Sequence, residues 1–335
     1  MSSKNISNSP LIDRFRRTIS YARIAVTSRC NLRCTYCMSE EHEYHSSAGR
    51  DTLKTGDIAL LIGILAGLGV KKIRFTGGEP LLRNDIAKLV KTAKRTEGIE
   101  NVSLTTNGVL LHRHLDALLD AGLDALNLSI DTLDRKRYQA ITRRDVFLQV
   151  KANLDTLLAS KALPVKLNVV MMRGINSDEV AEFMEFTRHH AVTVRFMELQ
   201  PFDDHQIWRT GRFLGLDKIQ DMLHEAYPEL LPHRGTSTEY FSFSLPGHAG
   251  SAAIIPAYTR NFCSQCNRIR ITSEGTVISC LYDKQGLNLQ PLLERSTAVE
   301  EITEVFRTAV REKPEDGRNQ GDGENLRTSM SEIGG

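Results

Sequence analysis

Residues 20–200 of this 335-residue chain alternate short β-type runs with longer helical patterns, six times in succession, and that alternation limits the fold more than any other feature. The runs fall at 23–26, 72–76, 102–105, 125–129, 165–170 and 193–198, and most are rich in β-branched residues. Between them, 57–68, 85–96 and 111–121 carry apolar residues at helical spacing. Segment 178–190 begins acidic and ends basic, the order a helix dipole favours. Six βα units in a row predict a parallel sheet, either doubly wound or curved into a barrel or partial barrel. In such folds chemistry gathers beyond the carboxyl ends of the strands. There the sequence reads Thr27-Ser28-Arg29-Cys30, Gly77-Gly78-Glu79-Pro80, Thr106-Asn107-Gly108, Asp131 and Glu198.

After residue 200 the character changes. Runs at 240–244 and 269–272 read as a smaller antiparallel part, and 299–311 reads as a helix. The polar, Gly- and Asp-rich segment 312–335 reads as a flexible tail. The expected domains are therefore 13–200, 201–311 and the tail. Lys and Arg total 43 against 41 Asp and Glu, a net charge of +2, which argues against a dedicated nucleic-acid binder. The longest apolar stretch, 58–70, has 13 residues and three glycines. A membrane span needs about 20. The first 20 residues lack the continuous apolar core of a secretory signal. A cytoplasmic protein is expected, with neither a membrane nor a nucleic acid as partner.

In a reducing compartment the six cysteines are expected to be ligands or catalytic groups rather than disulfides. They form two triplets, Cys30, Cys34, Cys37 and Cys263, Cys266, Cys280. The first spacing lets one loop wrap three thiolates around a compact centre. Iron–sulfur clusters normally use four cysteines, so three would leave one iron open to a small molecule. A zinc ion completed by His42 or His45 satisfies the same spacing. No histidine follows His248, so the second triplet lacks a local fourth zinc ligand, and a second cluster with an open iron follows. Arg268 and Arg270 sit two apart inside that triplet, and in a strand both guanidiniums take one face. Such a pair suits a phosphate-rich anion, although a solvated surface pair has the same pattern.

The first triplet after the first strand, with Tyr36 inside it, and Gly77-Gly78-Glu79-Pro80 after the second together resemble the radical S-adenosylmethionine superfamily. That resemblance implies an α/β fold, a partial (β/α)6 TIM-type barrel, with a smaller C-terminal α+β region. It also implies a [4Fe–4S] cluster whose open iron takes S-adenosylmethionine, which one electron cleaves to a 5′-deoxyadenosyl radical. With the distal triplet, Arg268, Arg270 and the terminal Gly334-Gly335, the pattern is similar to the GTP 3′,8-cyclase family of molybdenum cofactor biosynthesis. The resemblance then implies two [4Fe–4S] clusters on the six cysteines. It implies radical cyclisation of GTP to (8S)-3′,8-cyclo-7,8-dihydroguanosine 5′-triphosphate, with an electron donor and a downstream cyclic pyranopterin monophosphate synthase. A homodimer is within the same expectation.

Residue by residue, the resemblance assigns Arg23, Arg74, Thr105, Lys166, Arg268 and Arg270 to GTP. It assigns Tyr36, Gly78, Glu79, Ser129 and Gln200 to S-adenosylmethionine. Arg268, Arg270, Gly334 and Gly335 are its catalytic set, the terminus reaching into the site to aid radical initiation. Three positions depart from the family pattern: Ser28 where aspartate is usual, Ser39 where proline is usual, and Gln200 where methionine is frequent. Other readings are a radical enzyme acting on a peptide or small molecule, and a zinc or nucleic-acid scaffold. The first does not need Arg268, Arg270 or the Gly-Gly end, and the near-zero net charge and Gly77-Gly78-Glu79-Pro80 disfavour the second.

Overall fold

Strands β1 (Tyr21–Ala25), β2 (Lys72–Thr76), β3 (Asn101–Thr106), β4 (Ala125–Ser129), β5 (Val165–Met171) and β6 (Val192–Glu198) are parallel and adjacent in chain order. A doubly wound sheet would reverse direction at a switch point. Strict succession is the barrel arrangement. The barrel stays open because β1 and β6 do not pair with each other. Each takes another parallel neighbour, β1 pairing with β10 (Arg268–Ile271) and β6 with β9 (Ser251–Ile255). The computed structural model describes residues 9–37, 53–200, 210–236, 239–259, 263–283, 285–295, 298–317 and 330–334.

The chain beyond residue 200 therefore continues the barrel sheet at both edges, where the sequence suggested a separate antiparallel part. Only the outer strands are antiparallel. These are β7 (Leu231–Thr236) and β8 (Glu239–Ser244) beyond β9, and β11 (Thr276–Ile278) and β12 (Leu287–Asn288) beyond β10. The result is one 12-stranded sheet. Alternation of apolar residues cannot report strand direction, so this feature was hidden.

Helices α1 (Thr55–Gly67), α2 (Ile86–Arg95), α3 (Leu111–Asp120), α4 (Arg135–Thr142), α5 (Phe147–Ser160), α6 (Val180–His189) and α7 (Leu216–Ala226) occupy the connections. In α2, Ile86, Leu89, Val90 and Ala93 are buried at helical spacing and join the main core. Each fully buried large aliphatic chain contributes roughly 1.5–3 kcal/mol relative to exposure. The C-terminal part adds α8 (Gln290–Leu293), α9 (Val299–Arg311) and α10 (Met330–Ile333).

The segment expected to be a flexible tail is anchored at several points where it is described. Lys313 is 2% exposed, and its ammonium donates to the carbonyls of Arg268, at 3.0 Å, and Ser279. Helix α10 lies against β1, with Ile333 and Gly334 buried. Polar composition masked these few anchoring side chains. Gly335, Ser39, His42, His45 and Trp208 lie outside the described residues.

Candidate active site

The first cysteine loop leaves β1 and is clamped from several sides. Arg33 donates through Nη1 to the carbonyls of Cys30 at 2.6 Å and Leu32 at 2.8 Å. The amides of Arg33 and Thr35 bond to Thr142 and Ile141 at the end of α4. Asn107, beyond β3, donates to Asn31 Oδ1 at 2.7 Å. Cys30, Cys34 and Cys37 consequently line one cavity at the carboxyl ends of the strands. Burial pushes the Cys30 thiol up to about 12 and Cys34 well above its ordinary value. A metal centre would supply the positive charge that these thiolates lack.

Tyr36, Gly78, Thr105, Ser129 and Gln200 share that cavity. Tyr36 donates to Asp131 Oδ2 at 2.8 Å, while Asp131 Oδ1 accepts from the Val170 amide at 2.8 Å. Burial raises the Asp131 carboxyl to about 6, against the opposing effect of both donors. Gly78 approaches so closely that a Cβ would collide with the Arg29 and Ser28 carbonyls. Thr105 Oγ1, Asn168 Oδ1 and Gln200 Oε1 are buried there without hydrogen-bond partners.

Glu79 adjoins the lining residues Gly77 and Gly78 but does not itself line the cavity. It is fully buried behind the cavity wall, with Oε1 accepting from Thr106 Oγ1 at 2.7 Å and Leu81 N at 3.0 Å, and Oε2 from Asn107 N at 2.7 Å. All three donors are protein groups, so its carboxylate pins the β2 and β3 turns together. The 3₁₀ turn at Pro80–Leu82 directs it inward.

Below the cavity, strand register gathers a basic face. Arg23 pairs with Arg74 on one side and Arg270 on the other. Register continues through Arg74–Ser103, Thr105–Asn127, Asn127–Lys166 and Asn168–Arg195. With a period of two, Lys72, Lys166, Arg195 and Arg268 join the same face. Arg74 donates through Nε to Ser103 Oγ at 3.3 Å, and Arg195 donates to Asn127 Oδ1. No Asp or Glu occupies this face on β1–β6 or β10 among the described residues. Burial pushes Arg74 down to about 9, and neighbouring guanidiniums add to the effect; Arg270 is driven well below its ordinary value for the same reasons. The site favours an anion. Lys72 and Arg195 were missed in the sequence, although each lies at strand period from an assigned or pocket residue, Arg74 and Met197 respectively.

The second triplet lies at the opposite end of this face. Cys266 precedes β10, whose Arg268 pairs with Tyr21 at the start of β1, whereas Cys30 follows the end of β1. Arg17, ion-paired with Asp13 at 2.6 Å, donates to the carbonyls of Cys263 at 2.7 Å, Glu315 at 2.9 Å and Pro314 at 2.5 Å. Burial raises Cys266, but Lys313 and Arg268 outweigh it and bring the thiol to about 7.

The terminus closes over the basic face. Arg270 Nη1 donates to the Gly334 carbonyl, Gly334 packs on Thr76 and Ala25, and Met330 and Ser331 line the upper cavity.

A zinc ion binds sulfur at about 2.3 Å, so its ligands must close on one point. Among the described residues no three His, Cys, Asp or Glu side chains do so. Three thiols on one cavity wall, a glycine cradle and unpartnered buried oxygens fit a larger centre together with a polar ligand.

The comparisons agree. Residues 24–187 match the Radical SAM superfamily and 192–318 match Molybdenum Cofactor Synthesis C. The crystal structure of SuiB from Streptococcus suis superposes with a TM-score of 0.64 over 88% of this chain and 67% of its own, at 14% identity, a likeness of fold alone. Fold and site thus define a radical S-adenosylmethionine protein with an auxiliary C-terminal cysteine triplet. A GTP 3′,8-cyclase of Chlorobaculum tepidum is 56% identical over 97% of both chains. The mitochondrial GTP 3′,8-cyclase of Arabidopsis thaliana is 36% identical over 90% of this chain and 77% of its own. The chain belongs to the GTP 3′,8-cyclase family.

Proposed function

We propose that the basic face and the cavity above it bind GTP and S-adenosylmethionine for radical cyclisation of the nucleotide, the first step of molybdenum cofactor biosynthesis. One observation carries this reading: seven buried or half-buried cations, Arg23, Lys72, Arg74, Lys166, Arg195, Arg268 and Arg270, face inward between two cysteine triplets without a carboxylate among them. Burial strengthens their attraction for a triphosphate beyond its value in water.

Cys30, Cys34 and Cys37 would hold one [4Fe–4S] cluster, and Cys263, Cys266 and Cys280 the other. When bound, the first cluster and S-adenosylmethionine supply a hydrogen-abstracting radical. The protein's contribution is placement. Arg23, Arg74, Lys166, Arg268 and Arg270 fix the triphosphate, and Thr105 offers its unpartnered hydroxyl to the nucleotide. Tyr36, Gly78, Ser129 and Gln200 seat S-adenosylmethionine. Arg270 and the Gly334 terminus close the chamber against water, which a carbon radical requires. Holding the ribose against the guanine of the same molecule reduces the reaction to an entropy-trap problem.

None of the helices among the described residues is long and apolar enough to cross a membrane. We infer a cytoplasmic enzyme, as monomer or homodimer, fed by a one-electron donor and followed by cyclic pyranopterin monophosphate synthase. The test is anaerobic turnover of reconstituted protein with S-adenosylmethionine, a strong reductant and each nucleoside triphosphate in turn. 5′-Deoxyadenosine and a cyclic isomer of GTP should form with GTP alone. Deoxyadenosine forming regardless of nucleotide, with no isomer, would move the assignment to a peptide or other small molecule.

A further inference from the structure

The basic face has no carboxylate, yet one acidic side chain sits among its cations: Tyr21, the first residue of β1. Its ring is 1% exposed and its hydroxyl has no hydrogen-bond partner. Strand pairing sets Tyr21 beside Lys72 on β2 and Arg268 on β10. The guanidinium carbons of Arg23 and Arg74 lie 5.6 and 5.4 Å from its ring centroid, and Lys72 Nζ lies 5.2 Å away. Aromatic faces attract cations at these distances. Arg270, Lys166 and Arg195 complete the charged groups of the face.

We infer that Tyr21 is a positioning residue for the triphosphate: its ring holds Arg23, Lys72 and Arg74 in a fixed fan, and its hydroxyl oxygen carries the negative charge of the face until a phosphate replaces it. The inference rests on the GTP reading above. Burial raises the phenol's pKa, but Arg23, Arg74, Lys72 and Arg268 together outweigh it and bring it to about 7. Above that pH the free protein holds a phenolate. An arriving triphosphate brings its own charge to the same cations, and the phenolate takes a proton from solvent. The only bond formed is O–H. Like-charge repulsion among the cations is thus met in both states, by the phenolate in one and the phosphates in the other. An exchange of this kind tightens nucleotide binding as pH falls toward 7.

Calorimetry of the cluster-loaded protein at pH 8, in two buffers of different ionisation enthalpy, measures this directly. The ligands are GTP and inorganic tripolyphosphate. Wild type should take up about one proton more per ligand bound than Tyr21→Phe, which subtracts the ligand's own ionisation. Tyr21→Phe keeps the ring, so it should bind several-fold more tightly than wild type at pH 8 and equally at pH 6. Tyr21→Leu should lose proton uptake and also bind several-fold more weakly than Tyr21→Phe at both values. Equal proton uptake by wild type and Tyr21→Phe overturns the phenolate; equal affinity of Tyr21→Phe and Tyr21→Leu overturns the ring's part. If tripolyphosphate gives the expected proton count but GTP binds no better than ATP, Tyr21 keeps its role and the GTP assignment falls. Failure of both ligands to bind overturns both.

Discussion

Arg270 Nη1 donates to the carbonyl of Gly334 at 2.6 Å, tying a strand of the basic face to the end of the chain. Gly334 has φ +71°, and a Cβ there would collide with Thr76 Cγ2. Gly334→Ala should therefore lift the terminus from Arg270. We expect product formation to fall at least tenfold while iron content and thermal midpoint stay near wild type. Quantifying the cyclic product beside iron analysis checks this; an unchanged rate would separate the terminus from catalysis.

Gly78 admits no side chain. In Gly78→Ala the new methyl meets the Arg29 and Ser28 carbonyls, so the first cysteine loop must move. Affinity for S-adenosylmethionine should drop severalfold or more, because the loop that bounds its cavity shifts. Equilibrium dialysis of the reconstituted protein measures it, and retention of affinity would place the cosubstrate elsewhere.

Arg17 joins the N-terminal segment, the second cysteine loop and the segment after α9 through one guanidinium. Its partner Asp13 has a fully buried side chain. Arg17→Ala leaves that buried charge without its cation, holding only the amides of residues 15 and 17, at a cost of up to about 3–5 kcal/mol. Iron stoichiometry should fall toward that of a single cluster, with the signal of the first cluster preserved in electron paramagnetic resonance. Full loading of both clusters would show that the loop needs no such anchor.

Burial raises the Glu79 carboxyl to about 7, against three opposing hydrogen bonds. Its folded-state value exceeds the unfolded one. The stability it contributes is therefore fully present below about pH 4.5 and is lost as pH rises through 7. The span corresponds to about 3 kcal/mol. Glu79→Gln leaves one carbonyl oxygen for three donors, so it should be less stable overall and flatter between pH 4.5 and 7. Denaturant titrations of both proteins across that range test the sign.

Periodicity made the barrel readable: the runs at 72–76 and 125–129 coincide with β2 and β4, and 299–311 with α9. It left α4, α5 and α7 unassigned: α4 is short and highly charged, whereas α7 carries a regular stripe in Leu216, Ile219 and Leu223 that the sequence reading passed over. Cysteine spacing located both thiol sets because each is local. The basic face is not local. Tyr21, Lys72 and Arg195 acquire meaning only when parallel register sets Tyr21 between Lys72 and Arg268, and Arg195 beside Asn168. Glu79 shows the converse, a motif residue whose orientation depends on donors 27 and 28 positions away.

Strand β1 finds one neighbour in β2, about 50 residues downstream, but its other neighbour, β10, begins only at residue 268. During synthesis the open flank of β1 waits until four-fifths of the chain has left the ribosome. Long-range parallel pairing of this kind is slow and leaves a strand edge exposed meanwhile. Residues 13–200 expressed alone keep both raw edges, at β1 and at β6, and should aggregate where the full chain stays soluble. The strand that carries Arg268 and Arg270 is thus also a piece of the scaffold, so a chain that stops before residue 268 lacks both those arginines and the neighbour that covers the open flank of β1.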